Sequence, residues 1–464
     1  MKKSILQPIS FLVLFIFFVT SLSAQVKPIS LNPQNPHYFS YNNKPTVLIT
    51  SGEHYGAVMN PDFNYQIYLK TLQKDGLNLT RTMTGAYFEP AGAFNITKNT
   101  MGPDASKYLC PWLRIGSGLK FDLSQWDKAY FARLKDFMGE AQKRGVIVEL
   151  SLFCPFYEDI QWVLSPFNSI NNVNGLGNIP RTDVYTLDKN KGLLAIQEKM
   201  VRKLVDELKD SPNLMYEICN EPYFGGITLE WQEYISKVIT DAEKTFPNKH
   251  LITQNIGNGA QKIENPNPLV SVFNFHYAAP PTAVTINYGL NKVIGENETG
   301  FKGQKDSTYR KEAWELMLAG GGLFNNLDYS FTTDHLEGTF QYPAAQPGGG
   351  SPAFRHQLSH LKKFMDSFNL VAMRPDNSIY SGGLPKGLTP YLLIETGKQY
   401  AFYLMGGRQV SPELVLPKGN YSLEWLNPLS GKMEKKEKLR HPGGAVKLES
   451  PVYKEDIALK IVRK

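Results

Sequence analysis

The chain has 464 residues and carries 50 Lys and Arg against 43 Asp and Glu, which gives a formal net charge of +7. The charges are spread without a polybasic block, so nucleic-acid binding is not indicated. The three cysteines, Cys110, Cys154 and Cys219, are too few for a disulfide-rich scaffold or a four-cysteine metal site. A bridge between Cys110 and Cys154 stays open, because both precede proline in predicted loops.

The N-terminus has the pattern of a signal peptide over residues 1–24. Lys2 and Lys3 precede the apolar run Ile9–Val19, and small residues close the segment at Ala24. The run is too short to span a bilayer comfortably, and no later stretch approaches ~20 consecutive apolar residues. We therefore expect an exported protein, periplasmic or extracellular, with no integral membrane segment in its mature form.

Between residues 25 and 372, short apolar runs alternate with amphipathic helical stretches, the pattern of repeated βα units. Each run is apolar enough to be a strand buried on both faces. The eight runs are Thr46–Thr50, Asn78–Met83, Val146–Phe153, Leu214–Cys219, His250–Asn255, Val270–His276, Lys292–Gly295 and Leu323–Tyr329. They predict an α/β fold, a closed (β/α)8 TIM barrel.

The connections after the strands carry further signals. Ser124 and Asp127 predict a capping box at the start of the helix that follows the second strand. Residues 85–120, 154–186 and 332–352 follow the second, third and eighth strands and are long and irregular. Such loops usually serve binding, and after barrel strands they lie on the catalytic face.

The sequence pattern changes at about residue 373. Short alternating runs are then separated by turns rich in glycine, proline and asparagine. The runs are Tyr391–Glu395, Tyr400–Met405, Tyr421–Leu426 and Ile457–Val462. Residues 373–464 therefore predict a small antiparallel β-sandwich beside the barrel.

Glu221 stands where the fourth predicted strand stops. The apolar run continues into Asn220, Glu221 and Pro222, and proline cannot extend the ladder. The carboxyl of Glu221 is therefore expected on the rim of the barrel, where it suits general acid–base chemistry. Glu217 lies deeper on the same strand and is either a decoy or a buried partner.

A second pair of carboxyls, Glu296 and Glu298, follows the seventh strand. Strand alternation points both to the same side, so phase alone does not choose between them. Glu298 is preferred because it lies nearer the end of the strand and is followed by Thr299 and Gly300, where the backbone can turn away. Glu296 remains the alternative.

These motifs resemble clan A of the glycoside hydrolases, the barrel enzymes related to cellulases and β-mannanases, over the whole barrel. The resemblance implies a retaining enzyme that cleaves β-glycosidic bonds in a poly- or oligosaccharide, with Glu221 as acid/base and Glu298 as nucleophile. It also implies that Asn220 binds the sugar. The clan places an arginine at the end of the second strand and a histidine and tyrosine on the sixth, and these match Arg81, His276 and Tyr277.

Other candidate sugar contacts lie at strand ends and in the long loops. Glu53 and His54 follow the first strand, and Trp112 and Trp162 offer aromatic faces on which sugar rings can stack. The clan's tryptophan at the end of the eighth strand is absent. A polar run that includes Asp328 stands there, so we expect Asp328 to contact the substrate and the subsite floor to be altered.

The C-terminal run Trp425–Gly431 resembles a sandwich domain of secreted bacterial glycosidases that is called collagen-binding, a label that names a domain type only. Two alternatives from other classes stay open. One is a non-catalytic glycan-binding or adhesive protein on a glycosidase-like barrel. The other is a metal-dependent hydrolase. No His-x-His or His-Glu-x-x-His motif is present, so we expect neither a metal nor a cofactor.

Overall fold

The computed structural model describes residues 27–464, so the predicted signal peptide lies outside the described residues. At its centre is an eight-stranded sheet whose paired strands are all parallel. The strands are β1 Leu48–Gly52, β2 Leu79–Met83, β3 Ile147–Ser151, β4 Leu214–Glu217, β5 Leu251–Asn258, β6 Val272–His276, β7 Val293–Thr299 and β8 Leu323–Leu327. The predicted TIM-barrel architecture is confirmed.

The barrel closes between β1 and β2 through a side chain. The sheet runs β1-β8-β7-β6-β5-β4-β3-β2, so these two strands are its ends. Asn78, just before β2, accepts the backbone N–H of Ile49 at 2.9 Å and donates to the carbonyl of Val47 at 2.9 Å. The amide of Asn78 thus satisfies backbone groups that an open edge would leave unpaired.

Helices pack around the strands. They are α1 Tyr65–Lys74, α2 Lys128–Lys143, α3 Asp159–Leu164, α4 Leu193–Leu208, α5 Leu229–Ala242, α6 Thr282–Asn287, α7 Asp306–Leu318 and α8 Pro352–Asp366. The connection from β5 to β6, residues 259–271, contains no helix. The predicted capping box is wrong. Ser124 lies in a hairpin strand, and Asp127 alone caps α2 by accepting the N–H groups of Ala129 and Tyr130 at 2.7 and 3.1 Å.

The barrel interior is layered, with apolar side chains at one end and polar ones toward the other. The apolar layer takes one residue from each of seven strands, namely Leu48, Leu79, Ile147, Met215, Val272, Val293 and Leu323. Ile29 and Phe39, from the N-terminal segment, cover this end. Farther along the strands, Arg81, Glu149 and Glu217 are buried. The interior therefore supports the opposite mouth with charged groups.

Three short strands precede the barrel and a two-stranded hairpin follows β2. Their bounds are Ser30–Leu31, Phe39–Tyr41 and Lys44–Thr46, and Trp112–Arg114 and Phe121–Trp126. The hairpin lies within the long segment 85–127, so part of that predicted irregular loop is regular.

The C-terminal segment forms two antiparallel sheets, as a sandwich requires. Its strands are β9 Arg374–Pro375, β10 Tyr380–Gly382, β11 Tyr391–Glu395, β12 Gln399–Met405, β13 Glu413–Leu416, β14 Gly419–Leu426, β15 Met433–His441, β16 Gly444–Lys447 and β17 Asp456–Arg463. One sheet has the order β9-β11-β12-β17-β14-β15 and the other β10-β13-β16. Arg310 of α7 donates to Asp456 at 2.9 and 3.0 Å and so ties the sandwich to the barrel.

All three cysteines are free and buried, so the bridge between Cys110 and Cys154 that the sequence left open does not form. The sulfur of Cys110 lies 3.6 Å from the carbonyl oxygen of Trp112, whereas the sulfur of Cys154 lies 3.6 Å from the amide nitrogen of Asn220. Each thiol is thus packed into its own loop. Within residues 27–464, no helix is both long enough and apolar enough to cross a bilayer.

Candidate active site

Glu221 and Glu298 meet at the mouth of the barrel, with His276 between them. One carboxylate oxygen of each glutamate and one ring nitrogen of His276 lie within 4.8 Å of one another. Nδ1 of His276 is 3.2 Å from Oε1 of Glu221 and 3.6 Å from Oε1 of Glu298. The ends of β4, β6 and β7 therefore converge on a group of three ionisable side chains.

Three donors hold the carboxylate of Glu298. The hydroxyl of Tyr55 donates to Oε2 at 2.8 Å, and Nη1 of Arg81 donates to the same oxygen at 3.0 Å. The hydroxyl of Tyr277 donates to Oε1 at 2.7 Å. Hydrogen bonds to a charged acceptor are strong and directional, so they fix the orientation of Glu298.

Glu221 is held by two tyrosines and by His276. The hydroxyls of Tyr157 and Tyr223 donate to its carboxylate at 2.5 and 3.1 Å. Burial raises the pKa of Glu221, but the hydrogen bond and positive charge of His276, with the two tyrosines, bring it below its ordinary value. Burial lowers the pKa of His276, but the charge of Glu298 and the bond to Glu221 raise it overall. The two opposite shifts favour the ion pair of a protonated His276 with an ionised Glu221.

The structure shows which of Glu296 and Glu298 faces the cavity, a question that the sequence left open. The ladder between β6 and β7 shifts register where Phe275 pairs with Glu296 and His276 pairs with Glu298, and such a bulge re-aims the following side chains. Glu298 lines the cavity, whereas the carboxylate of Glu296 is buried and accepts the N–H of Ala278 at 2.7 Å. Glu298 is thus the carboxylate that faces the cavity, as preferred from the sequence.

Arg81 connects Glu298 to the interior of the barrel. Its Nε and Nη2 donate to the carboxylate of Glu217 at 2.8 and 2.5 Å, and Nη2 also donates to Oδ1 of Asn220 at 2.6 Å. Glu217 is therefore a buried partner, not a decoy. Glu149 lies beside this group, where burial and the charge of Glu217 raise its pKa to about 7.

Three residues of the site have a left-handed backbone. The φ angles are 58° at Tyr55, 35° at Glu221 and 52° at Tyr277, a region that residues with a side chain rarely adopt. Each lies just after a barrel strand and directs a polar side chain toward the reaction centre. Strain of about 1–3 kcal/mol per residue is typical of sites where surrounding structure enforces a functional geometry.

The two glutamates open into a cavity of about 240 Å³. This is smaller than the ~300–1,000 Å³ that is typical of sites for drug-sized ligands. Six aromatic residues contribute to its wall: Tyr55, Phe94, Tyr157, Phe224, Tyr277 and Phe301. Aromatic faces next to carboxylates are typical of sites that bind polyhydroxylated rings.

Trp112 and Trp162 do not form the predicted sugar platforms. Trp112 is fully buried, and its ring packs edge-on against Phe167 with centroids 5.0 Å apart. Trp162 is 7% exposed and donates from Nε1 to the carbonyl of Ile179 at 3.1 Å. Both predictions are wrong, because these rings pack the long loops onto the barrel.

Glu53 and Asp328 were predicted to contact the substrate, and both are buried anchors instead. The carboxylate of Glu53 accepts the N–H groups of Gly56 and Ala57, both at 3.0 Å, and so holds the turn after β1. Asp328 forms an ion pair with Arg355 at 2.7 Å. Neither carboxylate lines the cavity, so both predictions are wrong.

The other predicted residues are at the site. His54, Asn220 and Tyr277 line the cavity, whereas Arg81 and His276 contact the two glutamates from behind. Sequence reasoning missed Glu89, Tyr55, Tyr157 and Tyr223 as site residues. All four lie in connections after strands, where no periodic pattern marks the residues that face a ligand.

Glu221, His276 and Glu298 also have the spacing of metal ligands. Both carboxylates already accept hydrogen bonds from protein donors, and the raised pKa of His276 favours a proton on the ring where a metal needs it neutral. The group therefore fits acid–base chemistry better than metal binding.

Comparison with known proteins agrees with this geometry. The family model described as cellulase (glycosyl hydrolase family 5) matches residues 40–312. A glycoside hydrolase family 5 structure from Bacteroides vulgatus aligns with a TM-score of 0.65 at 13% identity, covering 94% of this chain and 94% of that one. An endo-1,4-β-mannanase from Rhizomucor miehei aligns with a TM-score of 0.51 at 12% identity, covering 74% of this chain and all 100% of that one.

At these identities the two solved structures show a shared fold alone. The comparison with curated proteins found no match. The family model, however, spans more than half of the sequence, and its match includes both glutamates. The chain belongs to glycosyl hydrolase family 5.

Proposed function

We propose that this glycoside hydrolase is an exported, retaining enzyme that cleaves β-glycosidic bonds in a poly- or oligosaccharide. The observation that supports this is the approach of the Glu221 and Glu298 carboxylates to within 4.8 Å. Retaining enzymes have their two carboxyls ≈ 5–5.5 Å apart, whereas inverting enzymes separate them by ≈ 6.5–9.5 Å to admit a water. The N-terminal apolar run supports export.

In the first step, Glu298 attacks the anomeric carbon while Glu221 protonates the departing oxygen. Tyr55, Arg81 and Tyr277 hold the nucleophile in place throughout. The proton reaches Glu221 from Nδ1 of His276, 3.2 Å away, since the raised pKa of His276 favours a proton on its ring.

In the second step, Glu221 is the base that takes a proton from water, and the water displaces Glu298 from the sugar. The hydroxyls of Tyr157 and Tyr223 then stabilise the carboxylate of Glu221 whenever it is ionised. One side chain therefore acts first as acid and then as base, as a double displacement requires.

The charge of the cavity favours an uncharged sugar. Its lining includes the carboxylates of Glu89, Glu221 and Glu298, and among the lining residues described there is neither lysine nor arginine. These three carboxylates disfavour an anionic sugar at close range, because like charges repel. The net charge of +7 over the chain is thus not concentrated at the site.

The test is hydrolysis of a panel of plant and algal β-glycans and aryl β-glycosides, with product anomers followed by NMR. Mannans belong in the panel because one structural neighbour is named a mannanase. We expect net retention by the wild type and at least a 10³-fold loss of kcat in Glu298→Gln. Glu296→Gln is the matched control on the same strand, and we expect it to remain active.

An inverted product would contradict the nucleophile role of Glu298. Glycan binding without any release would favour the adhesive alternative. Activity that a chelator abolishes would favour a metal-dependent hydrolase.

A further inference from the structure

His54 and Glu89 form a buried pair in the wall of the catalytic cavity. Nε2 of His54 lies 3.2 Å from Oε2 of Glu89, and both side chains line the cavity. Neither residue contacts Glu221 by a hydrogen bond, and the roles of acid, nucleophile and nucleophile holder are filled by others. The pair therefore lies in the cavity without a part in the bond-breaking chemistry.

The carboxylate of Glu89 is held from behind. Oε2 also accepts a hydrogen bond from the side-chain amide of Asn99, and the hydroxyl of Tyr87 donates to Oε1 at 3.3 Å. The backbone N–H of Glu89 donates to the carbonyl of Met101 at 2.9 Å. Three side chains, His54, Tyr87 and Asn99, thus contact the carboxylate, and the bond to Met101 fixes the backbone that carries it. This is the preorganisation expected of a binding group.

Comparison with Glu53 shows that this arrangement is more than a loop anchor. Both oxygens of Glu53 accept hydrogen bonds from Gly56, Ala57 and Thr100, and Glu53 does not line the cavity. Glu89 lines the cavity and keeps on Oε1 only the long bond from Tyr87. An ionised carboxylate has about four acceptor positions, so Glu89 has acceptor capacity left for a ligand.

His54 is the partner of Glu89 in the cavity wall. Burial lowers the pKa of His54, but the charges of Glu89, Glu298 and Glu53 raise it overall. A buried carboxylate that is paired in this way is a strong acceptor for hydrogen-bond donors. The hydroxyl groups of an uncharged sugar are such donors.

We propose that Glu89, backed by His54, is the specificity-determining acceptor for hydroxyl groups of the uncharged sugar that occupies the catalytic cavity. This inference rests on the proposed function. Because Glu89 lines the same cavity as Glu221 and Glu298, the hydroxyls in reach are those of the sugar whose anomeric carbon reacts or of its immediate neighbour. Sugars that lack the matching hydroxyl are then rejected at this point.

The experiment compares Glu89→Gln with the wild type on the aryl β-glycoside that the wild type cleaves fastest, and on its 3-, 4- and 6-deoxy derivatives. Glu89→Gln keeps the size of the side chain and removes the charge. We expect kcat/KM on the parent glycoside to fall by about 10–100-fold, the range for a hydrogen bond to a charged group. On at least one deoxy derivative, the kcat/KM of the wild type should be lower than on the parent glycoside by a similar factor. The kcat/KM of Glu89→Gln should be nearly the same on that derivative as on the parent.

A shared loss of this kind identifies the hydroxyl that Glu89 binds, and a purely structural role would not produce it. The inference would be overturned if every deoxy derivative lowered the kcat/KM of Glu89→Gln by the same factor. It would also be overturned if Glu89→Gln had the wild-type kcat/KM on the parent glycoside. The comparison of parent and deoxy glycosides with the wild-type enzyme does not use the variant, so it remains informative even if Glu89→Gln folds poorly. If it finds no sensitive hydroxyl, the inference is wrong.

Asp334→Asn is the matched control, because Asp334 is an exposed loop carboxylate that pairs only with Lys98 and Thr332. Asp334→Asn should leave unchanged the ratio of kcat/KM on the parent glycoside to kcat/KM on each deoxy derivative. Hydrolysis by the wild type with an unaffected Glu89→Gln would refute this inference and leave the proposed function standing. No hydrolysis of any glycoside or glycan by the wild type would remove both.

Discussion

Arg81 and Glu217 form a two-point ion pair inside the barrel, with Nε 2.8 Å from Oε2 and Nη2 2.5 Å from Oε1. Both side chains are completely buried. The remaining nitrogen of Arg81 reaches Glu298 at 3.0 Å. The position of the proposed nucleophile is therefore fixed by a charge pair that is itself buried from solvent.

Glu217→Ala should lower the free energy of unfolding by about 3–5 kcal/mol, because it leaves the buried charge of Arg81 without its main partner. It should also lower kcat, since Arg81 is then free to shift relative to Glu298. Urea unfolding and steady-state kinetics measure the two effects. The control is Glu149→Gln at pH 6, where the carboxyl of Glu149, with a pKa of about 7, is already mostly neutral. Equal stability losses in both variants would contradict the account.

Tyr277→Phe removes one of the three hydrogen bonds to Glu298. We expect kcat/KM to fall by about 10–100-fold with retention of configuration preserved, because the nucleophile stays but is less well oriented. Tyr329→Phe is the matched control. The hydroxyl of Tyr329 is buried near the site but has no hydrogen-bond partner among the described residues. Similar rates for the two variants would show that the bond from Tyr277 is unimportant.

Glu221→Ala should lose turnover on glycosides with poor leaving groups by 10³-fold or more, while a 2,4-dinitrophenyl glycoside still forms the intermediate. Such a leaving group needs no protonation, so the second step becomes limiting, and azide can then attack the anomeric carbon without a base. We expect azide to restore the rate and to yield the β-glycosyl azide, identified by NMR. An α-azide product, or no response to azide, would argue against Glu221 as the acid/base.

The sequence was sufficient for the strands and for the position of Glu221, the proposed acid. All eight barrel strands have apolar runs bounded by turns, and Glu221 follows directly from a strand that meets proline. The choice between Glu296 and Glu298 was harder. It depends on a register shift between β6 and β7, and a shift in pairing has no signature in one strand alone.

The residues of the long loops that face the cavity could not be predicted from the sequence, for a different reason. Trp112 and Trp162 were chosen for their size, yet size also makes tryptophan a good packing residue, and both are buried under their loops. Glu89 and Tyr157 reach the cavity only because the long segments after β2 and β3 fold back over it. Which side of an irregular loop faces a ligand depends on tertiary contacts, and no local pattern records them.

Glu296 makes stability depend on pH. Burial, together with the charge of Glu312, raises its pKa to about 8, above the ordinary value that the unfolded chain has. Between pH 4.5 and 8 the folded protein therefore binds a proton that the unfolded chain does not. The contribution is fully favourable at the acidic end of this window and is lost as pH rises through 8.

Glu296→Gln should remove that dependence, because the amide mimics the neutral acid and can still accept the N–H of Ala278. The wild type should lose about 1–3 kcal/mol more than the variant in unfolding free energy between pH 5.5 and pH 8.5. Urea denaturation at the two pH values measures this difference. A variant as sensitive to pH as the wild type would mean that another buried carboxyl, such as Glu315 with its pKa of about 7, dominates the titration.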